Sequence, residues 1–226
     1  MDTVLIDKIS FKVDVEALME RLRVRPGSAD SRDFAALVVE AEAIARPKAI
    51  FGAGRVEERN PEEVVIAGER FSSRVLRVNL DRAEQVYPFV STCGMELQEW
   101  GEAQDDMIWS FWAEAIKEEA LRAAMVEFQE VLRAQFQVGH LSTMSPGSLE
   151  NWPISQQQPH FHLLGNPVEV HLTDSLLMIP TKSVSGIVFP TEADFESCKL
   201  CPRQNCAGRR AHYDETLFAR EYCPAS

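Results

Sequence analysis

From Gln104 to about Gln137, apolar side chains recur at helical spacing, with Ile108, Phe111, Trp112, Ala115, Leu121, Ala124, Met125, Phe128, Leu132 and Phe136 on one stripe. A helix with so wide a dry face needs a broad apolar surface to lie on, and a sheet supplies one. Asp105 and Asp106 stand at its start, where negative charge complements the helix dipole, so they read as a helix-start signal before a catalytic carboxylate pair. The chain has 226 residues, 45% of them hydrophobic, enough to build one large domain or one domain with a small appendage without cysteine staples.

The segments around the long helix read as strands and one further helix. "DSRDFAALVVEAEAI" places apolar residues at helical spacing from Asp30 to Ile44, behind an Asp or Ser cap and ahead of Arg46-Pro47. "AIFGAGRVEER", "EEVVIAG" and "SSRVLRVNL" are short, β-branched and punctuated by Gly and Pro, which predicts antiparallel strands, and "QVYPFVSTCG" adds another. After Gly139 a polar loop leads to a short helix from about Ile154 to Leu164. "PVEVHLTDSLLMIPTKSVSGIVF" then reads as two strands with a "PTKSVSG" loop between them. Without regular strand–helix–strand alternation, the fold class is α+β with an antiparallel sheet.

The formal charge of −12 argues against nucleic acid, whose binding needs clustered Lys and Arg. The N-terminus lacks a basic region followed by an apolar stretch, and no apolar run approaches the roughly 20 residues of a spanning helix, so a cytoplasmic protein without a membrane partner is expected. In that compartment clustered cysteines point to metal or redox chemistry rather than disulfides. His160 and His162 lie two apart in a helix and face different sides, which predicts ordinary polar positions; His171 is unmarked as a base, and Cys93 reads as a buried thiol. No nucleophile–base–acid constellation, phosphate-cradling loop or dinucleotide fingerprint is present, so no catalytic residue is assigned.

"LTDSLLMIPTKSVSGIVFP", with "SPGS" and "WPIS" before it and "FVSTCGMELQEW" and the Asp-Asp pair further upstream, resembles the activation (reactivation) domain of cobalamin-dependent methionine synthase over residues 1–192. The resemblance implies a helmet-shaped α+β fold around a twisted antiparallel sheet. It also implies S-adenosylmethionine binding and docking over a corrinoid protein, so that oxidised cob(II)alamin is reduced and remethylated. The groove would be built by Thr143, Ser145, Pro146, Gly147 and Ser148 with Lys182, Ser183, Ser185 and Gly186. Aligned on Pro146-Gly147, the family's ligand-holding Arg falls on Thr143 and its Tyr on Ser148, while Ile187 and Val188 replace the aromatic that follows Ser-Val-Ser-Gly. Thr cannot pair a carboxylate bidentately as Arg does, so S-adenosylmethionine is expected to bind weakly if at all.

The remaining residues, 193–226, form a cysteine-rich tail spaced Cys198-x2-Cys201-x4-Cys206, with Cys223 behind a helix predicted from about Tyr213 to Glu221. Four thiolates suit a tetrahedral zinc or an iron–sulfur cluster. A single C-x-x-C pair, the following Pro202 and a distant fourth cysteine favour a four-iron cluster over zinc. Lys199, Arg203, Arg209, Arg210 and Arg220 would offset the thiolate charge or form a docking patch, and His212 is a substitute ligand or a surface residue. These features predict an accessory protein of a cobalamin-dependent methyltransferase system. Its tail would relay an electron, supplied by a donor such as ferredoxin or flavodoxin, to cobalamin on a corrinoid partner. Two alternatives stand beside it: a zinc-stabilised module that caps a corrinoid protein, and a component of a split methionine synthase.

Overall fold

The structure, a computed structural model, describes residues 1–137, 139–165, 168–191, 195–206 and 208–223. The chain opens with β1 (Thr3–Ile6), α1 (Val15–Leu22) and α2 (Ala29–Ile44). It continues through β2 (Lys48–Gly52), β3 (Gly54–Asn60), β4 (Glu63–Ile66), β5 (Glu69–Ser72), α3 (Arg74–Asn79) and β6 (Gln85–Thr92). Next come α4 (Met95–Glu102), α5 (Met107–Phe136), β7 (Leu141–Met144) and α6 (Gln157–Leu164), and then β8 (His171–Leu172), β9 (Met178–Ile179) and β10 (Ser183–Pro190). A 3-10 turn at Ser197–Leu200 and a π-helical turn at Phe218–Tyr222 complete the described tail.

The sheet is organised by β6, which is buried at every position after Gln85. One edge of β6 pairs with β2 and, nearer its start, with β3; the other pairs with β10 from Ser183↔Thr92 to Val188↔Tyr87. β10 in turn carries β7, β1 flanks β2, and β4 and β5 extend the sheet beyond β3, all antiparallel. Consecutive residues of a strand face opposite ways, so a strand that is buried on both faces must be covered twice. Phe89 stacks on Phe128 of α5 with ring centroids 4.5 Å apart, and Phe51 packs on the same ring at 5.4 Å. Val90, the next residue, packs with Ile50 against Leu164 of α6. A neighbouring cluster holds the first half of α5 against α1, α2 and α4, with Phe34 edge-on to Trp112 at 5.5 Å.

The long helix forms where its sequence reading places it, but the expected dry stripe is shorter: Ile108 and Phe111, in the first turns, are exposed, and the buried face begins at Trp112. Asp106 caps the helix, its Oδ1 accepting the amides of Ile108 at 2.7 Å and Trp109 at 3.1 Å. Three local expectations are corrected. "SSRVLRVNL" is not a strand; Ser73 Oγ accepts the Leu76 amide at 3.1 Å, and this cap turns the segment into α3, which buries Val75 and Leu76. "SVSG" is not a loop but the first half of β10, because its backbone completes the exposed edge of β6. The terminal helix is one π-helical turn, since the Asp214 carboxylate accepts the amide and hydroxyl of Thr216 at 3.0 and 2.8 Å and holds a turn ahead of it. The expected boundary between residues 192 and 193 lies outside the described residues.

His160 is likewise not an ordinary polar position. It is fully buried on α6, its ring donating through Nε2 to the carbonyl of Phe89 at 2.9 Å, while His162 points to solvent. Burial pushes the His160 pKa down to about 4 from its ordinary 6.5, against the opposing effect of the Phe89 hydrogen bond. Between those values the unfolded chain binds the extra proton, so this group's contribution makes stability fall as pH drops from 6.5 to about 4. The loss should be on the order of 3 kcal/mol. In urea titrations across that window, His160→Gln should have a shallower pH dependence than the parent; parallel curves would contradict the buried neutral ring.

Candidate functional site

The two segments expected to form a groove do meet. β7 pairs with β10 through Ile187↔Met144 and Val188↔Thr143, so the chain leaves β7 beside the Ser-Val-Ser-Gly half of β10. A Cβ on Gly186 would stand 2.5 Å from the Met144 carbonyl oxygen and 2.9 Å from Ser145 Oγ; only glycine allows this approach. Ser145-Pro146-Gly147-Ser148 then forms a tight turn, with Gly147 at φ +80° and Ser145 O accepting the amide of Ser148 at 3.1 Å and its hydroxyl at 2.6 Å. Gly147 N donates to Trp152 O at 2.7 Å. The Gly147 and Ser148 amides are therefore used within the loop. Trp152 is fully buried, edge-on to Phe71 at a centroid distance of 6.5 Å, and Gln156 Oε1 accepts the Ser72 amide at 2.8 Å.

The start of β10 is tied just as closely. Gln98 Oε1 accepts both the amide and hydroxyl of Thr181 at 3.0 Å. Ser183 Oγ lies 2.8 Å from Thr92 Oγ1 and donates to Pro180 O at 2.7 Å. Ser185 is buried on the sheet, and Thr143 is a half-buried strand residue. Lys182 pairs with Glu114 at 3.2 Å, and the fully buried Lys117 binds the other oxygen of the same carboxylate. Burial would raise the Glu114 pKa, but the hydrogen bond and charge of Lys117, with Lys182 beside it, outweigh burial and hold it below the usual carboxylate range. The nearby Cys93 thiol is pushed up to about 12, chiefly by burial, and stays protonated.

The tail packs onto the domain face that carries the Pro-Gly turn. Leu217 and Tyr222 are buried in the cluster that contains Trp152 and Val75, with Phe195, Leu200, Cys201 and Phe218 packed against it. Arg74 of α3 donates to Tyr222 O at 2.8 Å and Pro61 O at 2.5 Å, and the Tyr222 hydroxyl reaches Asn79 Oδ1 at 3.3 Å. Between tail and turn lies a cleft of about 1110 Å³, with Gly147, Ser148, Asn151 and Ile154 on one side and Cys201, Arg203, Tyr213 and Phe218 on the other. Arg203, one of the lining residues, has no salt-bridge partner among the described residues. Two features read separately in the sequence thus border one cavity. Its apolar lining by Ile154, Tyr213 and Phe218 was not anticipated; the signal available was the aromatic and leucine content of "HYDETLFAREY" in an otherwise polar tail.

All five cysteines are free thiols. Cys198 and Cys201 lie on and beside the 3-10 turn, half-buried like Cys206, while Cys223 is exposed. The Arg210 amide, 3.5 Å from Cys198 Sγ, holds that thiol below its ordinary pKa against the opposing effect of burial, helped by the Ala211 amide and the Arg210 side chain. The donor chemistry suits a thiolate-bound metal, but the arrangement does not: among the described residues no three His, Cys, Asp or Glu side chains converge closely enough to hold an ion. Among the same residues, no helix is long and apolar enough to cross a membrane.

No family model and no curated protein matches the chain. Among solved structures it is similar to the crystal structure of the MetH reactivation domain bound to AdoHcy, with a TM-score of 0.58 and 14% identity over 87% of this chain and 81% of that one. At that identity the likeness shows the fold, an α+β domain with a twisted antiparallel sheet and flanking helices, one of them long. The close approach at Gly186 is directly testable. Gly186→Ala should lower unfolding stability by about 1–3 kcal/mol, because its methyl group meets backbone that cannot rotate away; an unchanged denaturation midpoint would contradict the packing of β10 on the turn.

Proposed function

We propose that the protein is an accessory of a cobalamin-dependent methyltransferase system, which docks on a corrinoid protein and assists reductive reactivation of its cobalamin. The observation that carries this reading is the fold likeness to a reactivation domain across most of the chain, joined to the meeting of Ser145–Ser148 with the Ser183–Gly186 strand. The docking face would be the one that bears the Pro-Gly turn and the cleft. Cob(II)alamin takes one electron to become cob(I)alamin, which then accepts a methyl cation equivalent; the protein's share is position, and the cofactor does the chemistry. The MetH neighbour was solved with AdoHcy, which supports S-adenosylmethionine as the methyl donor. Thr143 and Ser148 supply no guanidinium or phenol, and the turn amides are occupied, so its binding to this chain alone is weak.

An iron–sulfur cluster or zinc at Cys198, Cys201, Cys206 and Cys223 is supported by their spacing and by four free thiols. In the arrangement described they do not converge. The reducing electron is assigned to an external donor of the ferredoxin or flavodoxin class. The second reading, a binding module that caps a corrinoid protein without taking part in reduction, is favoured by the burial of Leu217 and Tyr222, which makes the tail part of the domain's packing.

Reduction of a corrinoid protein's cob(II)alamin by a low-potential donor, followed by visible absorption with and without this protein, distinguishes the readings. Acceleration of about tenfold or more, equivalent to about 1.4 kcal/mol of barrier, is expected; complex formation with no acceleration would leave the capping module. Calorimetry with S-adenosylmethionine should give a dissociation constant no tighter than about the millimolar range, near −4 kcal/mol, and submicromolar binding would contradict the argument from Thr143 and Ser148. Anaerobic purification with iron, sulfide and zinc analysis decides the tail: one equivalent of zinc in a colourless protein would exclude the cluster.

A further inference from the structure

Arg209 makes an unusual set of contacts for a surface-tail residue. Its Nη1 donates to the carbonyls of Cys198 at 3.0 Å and Ala211 at 3.1 Å. Its Nη2 donates to the carbonyl of Cys201 at 3.2 Å and to that of Arg203. A guanidinium carries four hydrogens on these two nitrogens, so all four are engaged. Its backbone amide donates to Cys206 O at 3.2 Å. One residue thereby touches the main chain of all three closely spaced cysteines, and no carboxylate pairs with it among the described residues.

A ring of carbonyl oxygens drawn around one positive charge is the arrangement a bound cation would impose, and here a side chain occupies it. Each captured carbonyl fixes a peptide plane, and with it the direction in which the neighbouring side chains leave the backbone. The geometry points to Arg209 as the positioning residue of the tail: we propose that its guanidinium, and not a metal ion, draws the main chain at Cys198, Cys201, Arg203 and Ala211 together and fixes the backbone from which the thiols of Cys198, Cys201 and Cys206 project. The loop is therefore folded before any ion arrives and stays folded when one leaves, unlike a metal knuckle, whose folding energy comes from the ion. Lys199 O, which accepts the Asp214 amide at 2.9 Å, joins this loop to the segment that leads into the buried Leu217. The proposal is independent of the corrinoid role and holds whether or not the thiols take up metal.

The fork matters as well as the charge, because four acceptors are spread around a planar group that a point-charge ammonium with three donors cannot match. The test uses the full chain, reduced and stripped of metal with a chelator. It reads amide hydrogen exchange over residues 198–211 and the alkylation rates of Cys198 and Cys201 with iodoacetamide. In the parent protein the metal-free loop remains protected. Arg209→Gln and Arg209→Lys should each speed exchange over 198–211 by about tenfold or more, while β6 and β10 exchange as in the parent. Both should also bring alkylation of Cys198 and Cys201 close to that of the exposed Cys223. A metal-free parent loop that exchanges freely and is protected only after zinc is added would overturn the proposal by making the ion the organiser. Parent-like protection in either variant would overturn it too.

Discussion

The pairing of β10 along β6 is the contact on which the remaining architecture depends. It completes the open edge of a strand that is buried almost throughout, and its register places Gly186 opposite Phe89. On the other edge of β10, β7 is brought in and releases the chain into the Pro-Gly turn. The same strand begins where Lys182 meets the Glu114 carboxylate and where Gln98 holds Thr181, so α4 and α5 are linked to it through polar contacts as well as through the apolar core. A slip of one residue would turn Ile187 and Phe189 out of the core around Trp152. Fold and candidate site therefore share one register.

Much of the fold was legible because it rests on periodicity. The apolar face of α5 from Trp112 onward and the apolar run of β6 over residues 86–90 are signals that tertiary context reinforces. What escaped was local chemistry that overrides pattern. "SSRVLRVNL" is short and carries β-branched valines, which suggests a strand, but one serine hydroxyl at Ser73 satisfies the Leu76 amide and starts a helix. "PTKSVSG" has the composition of a loop, yet its last four residues are strand because β6 offers them a complete set of backbone partners. His160 looked polar because nothing in its neighbours announces that the carbonyl it binds lies on a strand 71 residues earlier.

The candidate site was legible by segment and illegible by relation. Spacing marked the cysteines and the Pro-Gly turn, and the structure brings the tail and the turn to one cleft. That adjacency depends on contacts between residues far apart in the chain, such as Arg74 with the carbonyl of Tyr222, which leave no local trace. The basic residues of the tail likewise read as one patch but divide by role. Arg210 pairs with Glu196 at 3.1 Å and Arg220 with Asp214 at 3.4 Å, Arg209 is enclosed by carbonyls, and Arg203 is left facing the cleft.

The docking of the tail against α3 has a practical consequence for handling the molecule. Leu217 and Tyr222 cover apolar surface belonging to Val75, Leu76 and Trp152, so the sheet domain does not end where its last strand ends. Trimming the chain after β10 to obtain a simpler domain would strip that cover and leave a sticky face beside the Pro-Gly turn, inviting self-association through that surface. The cysteine segment is thus a fitted lid for the domain's own core, and the boundaries of any usable fragment are set by those two side chains.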